Sequence, residues 1–233
     1  FNGAYWRGSA KAWGATDGSG AGNGWIFIRE IENKTSHYKR SCRNILEDNP
    51  SAASGYYYIK SNPLYSDPIR VYCDMDRDGG GWTLIFRHVH AGGLWTDEVE
   101  AMANLSVDNE PYDTSKYTRL RYIKDLRADG KFTFRIEWPG YSEINIWSQT
   151  TDPTVDQPVA GYQAIDVDVT SNSWGGLERN CAVDCLDSFI DGSVNSTNWY
   201  YAIGSFVDHG SPPGIPANAT TGQNVEEVIL WIK

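Results

Sequence analysis

At 233 residues the chain can bury a core as one domain or two packed lobes, and its 10 Trp, 14 Tyr and 7 Phe are a heavy aromatic load. The formal charge of −10 excludes a nucleic-acid surface, which needs clustered basic residues, and argues equally against docking on anionic membranes. No apolar run approaches the roughly 20 residues of a membrane span, so no membrane insertion is expected.

Four cysteines (Cys42, Cys73, Cys181 and Cys185) permit two disulfides in three connectivities. Acceptor sequons at Asn33, Asn104, Asn195 and Asn218 point to the secretory pathway. The first residue is Phe1 rather than Met, as expected after removal of a signal peptide. The sequence therefore reads as a secreted, extracellular glycoprotein.

Residues 1–40 read as an irregular Gly- and Ser-rich arm with one strand at residues 25–31 (WIFIREI). Residues 41–233 read as a single domain. Ser41 is an N-cap for a short helix at 42–47, ended by Asn49-Pro50. Strands follow at 56–59 and 69–75, the latter with Val71 and Cys73 on one face and Tyr72 on the other. Gly79, Gly80 and Gly81 allow a tight turn of positive φ. A long strand at 82–90 comes next, and residues 91–118 are loop with one helical turn near 97–103. Asp129-Gly130 predicts a hairpin between strands at 120–123 and 131–138. Strands are expected at 141–148 and 161–169. Residues 170–196 are polar and acidic and read as a long irregular region. An aromatic segment at 199–206, a Pro- and Gly-rich loop at 208–222 and a buried strand at 225–232 complete the chain.

Residues 41–86 hold a specific combination: Cys42-x-x-Ile45-Leu46, GYYYI at 55–59, VYCDM at 71–75 and GGGWTL at 79–84. This resembles the N-terminal signature of fibrinogen-related domains, which the intelectins share. The resemblance implies an α+β fold, mainly antiparallel sheet with few short helices and long irregular loops, and a Cys42–Cys73 disulfide. Asp166-Val-Asp168 followed by Asn180-Cys181-Ala182 resembles the family's calcium loop, and Trp199-Tyr200-Tyr201 its aromatic triplet. The last two cysteines are closer together than in the family. The C-terminal NVEEVILWIK is more similar to the end of an intelectin.

Asp166 and Asp168, two apart at a strand end, would face one side and chelate calcium. Cys181 and Cys185 would close a small disulfide loop. Asp74, Asp76 and Asp78 imitate the start of an EF-hand loop, but its twelfth position is Ile85, so they read as a turn. Asp184, Asp187 and Asp191 read as a solvated acidic loop, with a second cation site as the alternative. His88 and His90 share a strand face without a third ligand and read as structural. No serine elbow, zinc signature or phosphate loop is present, so no enzyme activity is expected.

The expected function is lectin-like recognition, with calcium as cofactor and a glycan or acetylated group as ligand. Trp199, Tyr200 and Tyr201 would stack on the ligand, with Asn180 and His209 beside them. Single sites of this kind bind weakly, so a homo-oligomer would add avidity, using the globular surface. A carrier of an apolar or aromatic ligand such as a pigment is the alternative, motivated by Trp6, Trp13, Trp95, Trp147 and Trp174. A structural glycoprotein is the third reading.

Overall fold

The computed structural model describes residues 38–62, 67–103, 111–155, 158–180, 187–196, 198–218 and 223–233. The chain divides into two units, Phe1–His37 and Tyr38–Lys233. The first lies outside the described residues, and with it the strand expected at 25–31, Trp6 and Trp13.

Helix α1 (Cys42–Asp48) starts where Ser41 adopts extended backbone and its Oγ accepts the Asn44 N–H at 3.2 Å. Strands β1 (Gly55–Ile59), β2 (Ile69–Asp74) and β3 (Trp82–Val89) follow as an antiparallel ribbon. Cys42 and Cys73 form a disulfide that fastens α1 to β2. Gly80 has φ 62°, and a Cβ there would lie 2.1 Å from the Met75 carbonyl oxygen. Only glycine lets this turn fold back so closely.

A one-turn helix α2 (Glu98–Ala101) is capped by Asp97, whose carboxylate accepts the Glu100 N–H at 2.8 Å. Then come β4 (Lys116–Thr118), β5 (Phe132–Glu137), β6 (Ile144–Gln149), β7 (Gln163–Val167), β8 (Trp174–Arg179), β9 (Ser188–Ser193), β10 (Ile203–Ser205), β11 (Ile215–Asn218), β12 (Gln223–Val225) and β13 (Glu227–Ile232). The main sheet runs β1-β2-β3-β13-β5-β6-β7, and β4 shares an edge of β3 with β2. A second sheet is β10-β9-β8, and β11 pairs with β12.

The last strand sits in the middle of the main sheet. Val228, Leu230 and Ile232 enter the larger core with Val71, Cys73, Phe134 and Ile136. Ile229 and Trp231 point to the other face, with Trp82, Leu84, Tyr117 and Ile146. Burial on both faces is why VILWI is a continuous apolar run instead of an alternating one. The second face also carries a charge network. Arg135, 4% exposed, pairs with Glu137 (2.9 Å) and Asp78 (3.0 Å), and Arg77 bridges Glu137 to Asp74.

Several expectations need correction, and the loops expected at 91–118 and 208–222 contain β4 and β11. Residues 120–123 are not a strand: Leu120–Leu126 is 3-10 helix. Leu120, Ile123 and Leu126 are buried at a spacing of three, the period of that helix. The Asp129-Gly130 turn does form, with φ 51° and 77°, but it joins Ala128 to Lys131 in an isolated bridge. Residues 170–196 are not irregular throughout: β8 and β9 lie there, and every residue of β9 is buried. The aromatic excess motivating a pigment carrier is largely consumed by packing. Trp95 and Trp147 are 1% and 0% exposed, and Trp174 packs edge-on against Trp147 at 4.8 Å.

Candidate recognition site

The loop at 207–214 is held from two sides. Asn224 of β12 donates from its side-chain amide to the carbonyls of His209 (2.5 Å) and Pro212 (2.7 Å). Gly210 has φ 73°, and a Cβ there would approach the Asn224 amide nitrogen to 2.4 Å, so glycine admits the clamp. Asp208 meets His90 Nε2 at 2.5 Å, at the end of β3, and Glu226 lies 4.0 Å from His90 Nδ1. Between these restraints the His209 ring stands edge-on to Trp199 (5.3 Å) and Tyr200 (5.9 Å). All three rings are half-buried. They form an aromatic corner open to solvent.

The structure thus brings together Trp199, Tyr200 and His209 of the expected ligand residues. Tyr201 is corrected: its ring is 0% exposed, packs against Trp138 and Trp174, and its hydroxyl donates to the Ser171 carbonyl at 2.6 Å. Its φ of 63° turns the chain so that its side chain enters the core while its neighbours Trp199 and Tyr200 stay at the surface. The Asn180 amide donates to Ser188 Oγ at 2.9 Å across β8 and β9. The signals for Asp208, Glu226 and Asn224 were weak in sequence, because each acts through a contact distant along the chain.

Asp166 and Asp168 lie at the end of the edge strand β7, both exposed. Asp168 accepts the Ile144 N–H at 2.9 Å. Asp166 lines a cleft that also holds Arg43 and Lys233. Calcium takes 6–8 oxygens, and among the described residues no group of three acidic, His or Cys side chains is placed to hold a metal. Cys181, Cys185 and Asp184 lie outside the described residues, as do Asn33 and Asn104. Asn195 is exposed in a turn, and the backbone of Asn218 ends β11.

The EF-hand imitation is a turn, as read. Burial opposes the charge on Asp74, but the N–H groups of Arg77 and Asp76 and the Arg77 guanidinium keep its carboxyl below the usual range. Asp191 is no solvated loop residue. It is 3% exposed in β9, directly across from Glu178, and accepts the Ser193 N–H at 2.9 Å. Burial first, then Glu178, pushes its carboxyl up to about 8 against that hydrogen bond. His88 is fully buried, and burial lowers it to about 4.

Residues 38–95 match the family described as "Fibrinogen beta and gamma chains, C-terminal globular domain". The fibrinogen-like globe domain of human ANGPTL2 superposes with a TM-score of 0.53 at 16% identity, covering 84% of this chain and 98% of that one. The fold is that of a divergent fibrinogen-related domain. Tenascin-N of Mus musculus is 42% identical over 95 residues, 36% of this chain and 6% of tenascin-N. Echinolectin 1 of Echinometra lucunter is 34% identical over 88 residues, 37% of this chain and 36% of the echinolectin. The matches thus span a minor part of these curated relatives. Members of this family are non-enzymatic recognition proteins. Among the described residues no helix is long and apolar enough to cross a membrane.

Proposed function

We propose that this fibrinogen-related domain is a secreted, lectin-like recognition module that binds a glycan or an acetylated group at the Trp199–Tyr200–His209 corner. The observation that carries the reading is the pair of near-perpendicular ring junctions, 80° and 79°, on a loop clamped from two sides. Such a corner takes a methyl or acetyl group against apolar ring surface, while the polar edge of His209 meets hydroxyls or an amide. Two aromatic rings held in advance lose little side-chain entropy on binding. The name of echinolectin 1 supports a lectin reading, and the Cys42–Cys73 disulfide and exposed Asn195 sequon support an oxidising, extracellular setting.

The test is a glycan array probed in calcium and again in chelator. The reading expects N-acetylated glycans among the positives. A folded protein silent in both conditions contradicts it. Calcium dependence would require ligands beyond Asp166 and Asp168, and the chelator arm reads it directly. A carrier of an apolar pigment has less support, since Trp95 and Trp147 are core residues.

A further inference from the structure

A second cleft lies at the opposite end of β3 from the aromatic corner. His90 and Asp208 meet beyond Val89, whereas Trp82 starts the strand, roughly 25 Å away at 3.3 Å per residue. The cleft has a volume of about 370 Å³ and opens to solvent. That is within the range of small-ligand sites. Its lining includes Arg43 of α1, Trp82, Ile165 and Asp166 of β7, Asp78 and Lys233.

The charges are arranged unevenly. Asp78 is occupied by Arg135 at 3.0 Å. Lys233 lies over the Trp82 ring, 5.4 Å from its centroid, and donates to the Gly79 carbonyl at 3.1 Å. Burial and then the neighbouring Arg43 charge lower the Lys233 pKa, with Asp78 and Glu47 acting in the opposite sense. Arg43 is shared between Glu47 (2.7 Å) and the exposed Asp129 (3.5 Å). Two cations thus face one cleft, and an anion placed between them would relieve their repulsion. On the β7 wall, the backbone of Asp166 pairs with Ile146, while its exposed carboxylate makes no ion pair or hydrogen bond with another described residue. An unpartnered carboxylate is a hydrogen-bond acceptor suited to sugar hydroxyls. Trp82, buried beneath Lys233, lies under the cleft and reports on its occupancy.

We infer that this cleft is a second ligand site, for an acidic saccharide whose carboxylate or sulfate sits between Arg43 and Lys233 while its hydroxyls donate to Asp166. It is independent of the aromatic corner and stands whether or not that corner binds. It also gives Asp166 a role that needs no metal.

The experiment follows the indole N–H signal of Trp82 by NMR as glucuronic acid, galactose 6-sulfate, glucose, galactose and inorganic sulfate are added to the intact chain. Both acidic sugars should shift the signal, with affinity about tenfold above the neutral sugars, as expected for charge-assisted contacts. Arg43→Gln with Lys233→Gln should reduce the acidic sugars to the level of the neutral ones. Asp166→Asn removes a like charge from the cleft and should raise sulfate affinity, while lowering the preference for acidic sugars over sulfate. Both cationic side chains reach solvent, and an unaltered Trp82 spectrum before titration verifies the fold. Equal affinity for neutral and acidic sugars would overturn the inference. So would sulfate alone binding as tightly as the acidic sugars, retained affinity in the double variant, or shifts confined to Trp199 and His209.

Discussion

The ribbon of β1, β2 and β3 and the segment from β8 to the 207–214 loop are built on opposite plans. In the ribbon, charged residues are spent on each other. Asp74, Arg77 and Asp78 of the ribbon join Arg135 and Glu137 of β5 in one network, a disulfide anchors β2, and glycines close the turn. In the later segment polar groups hold up a surface: Asn224 and His90 restrain a loop whose His209 stands beside two half-buried rings. The first region makes stability and the second carries the proposed site. A motif rich in acidic residues near the N-terminus was the poorer guide to a site, because its carboxylates are already satisfied.

The comparison breaks most visibly at Arg135. Arg135→Met should cost about 3 kcal/mol, the low end for breaking a buried pair, since Asp78 loses its cation while Glu137 keeps Arg77. Urea denaturation reads it, and a loss below 1 kcal/mol would show the network to be incidental. Next, Cys42→Ala with Cys73→Ala should remove about 2–4 kcal/mol, measured the same way against the oxidised protein. A smaller and pH-dependent effect is expected at Asp191. Its carboxyl is raised to about 8 in the fold. From the ordinary carboxylate range near 4 up to about 8 the folded chain keeps a proton that the unfolded chain has released, so stability falls as pH rises. Asp191→Asn should flatten that slope and be the more stable form at pH 8 by at least about 1 kcal/mol. Denaturation at pH 5 and pH 8 checks it, and an unchanged slope would refute it. The smallest stability effect belongs to the aromatic corner: Trp199→Ala should change stability by less than about 1.5 kcal/mol, because its ring is only half-buried. Thermal melts read this against the loss of binding tested below.

Much of the fold was legible because its signals were local. Ser41 capped α1, Val71 and Cys73 shared a face of β2, and α2 lies in the helical turn expected near 97–103. The misreadings have physical causes. The 120–126 segment carries a spacing of three that a short strand window confuses with alternation. Strand β9 (SFIDGS) buries Ser, Asp and Gly, so no apolar period announces it; its pairing with β8 and β10 decides its place. Of the proposed corner, Trp199, Tyr200 and His209 were named from an aromatic run and a lone histidine, and the structure places their rings side by side. Tyr201 was misread because a single positive φ separates a surface ring from a core ring, and tyrosine gives no sign of adopting it.

The most direct measurement is binding to surface-immobilised N-acetylated glycans by wild type, Trp199→Ala and the Arg43→Gln, Lys233→Gln double variant. The account predicts that Trp199→Ala loses at least about tenfold in affinity, as expected for an aromatic anchor, while the double variant binds as wild type does. Undiminished binding by a folded Trp199→Ala protein would contradict the assignment of recognition to the aromatic corner.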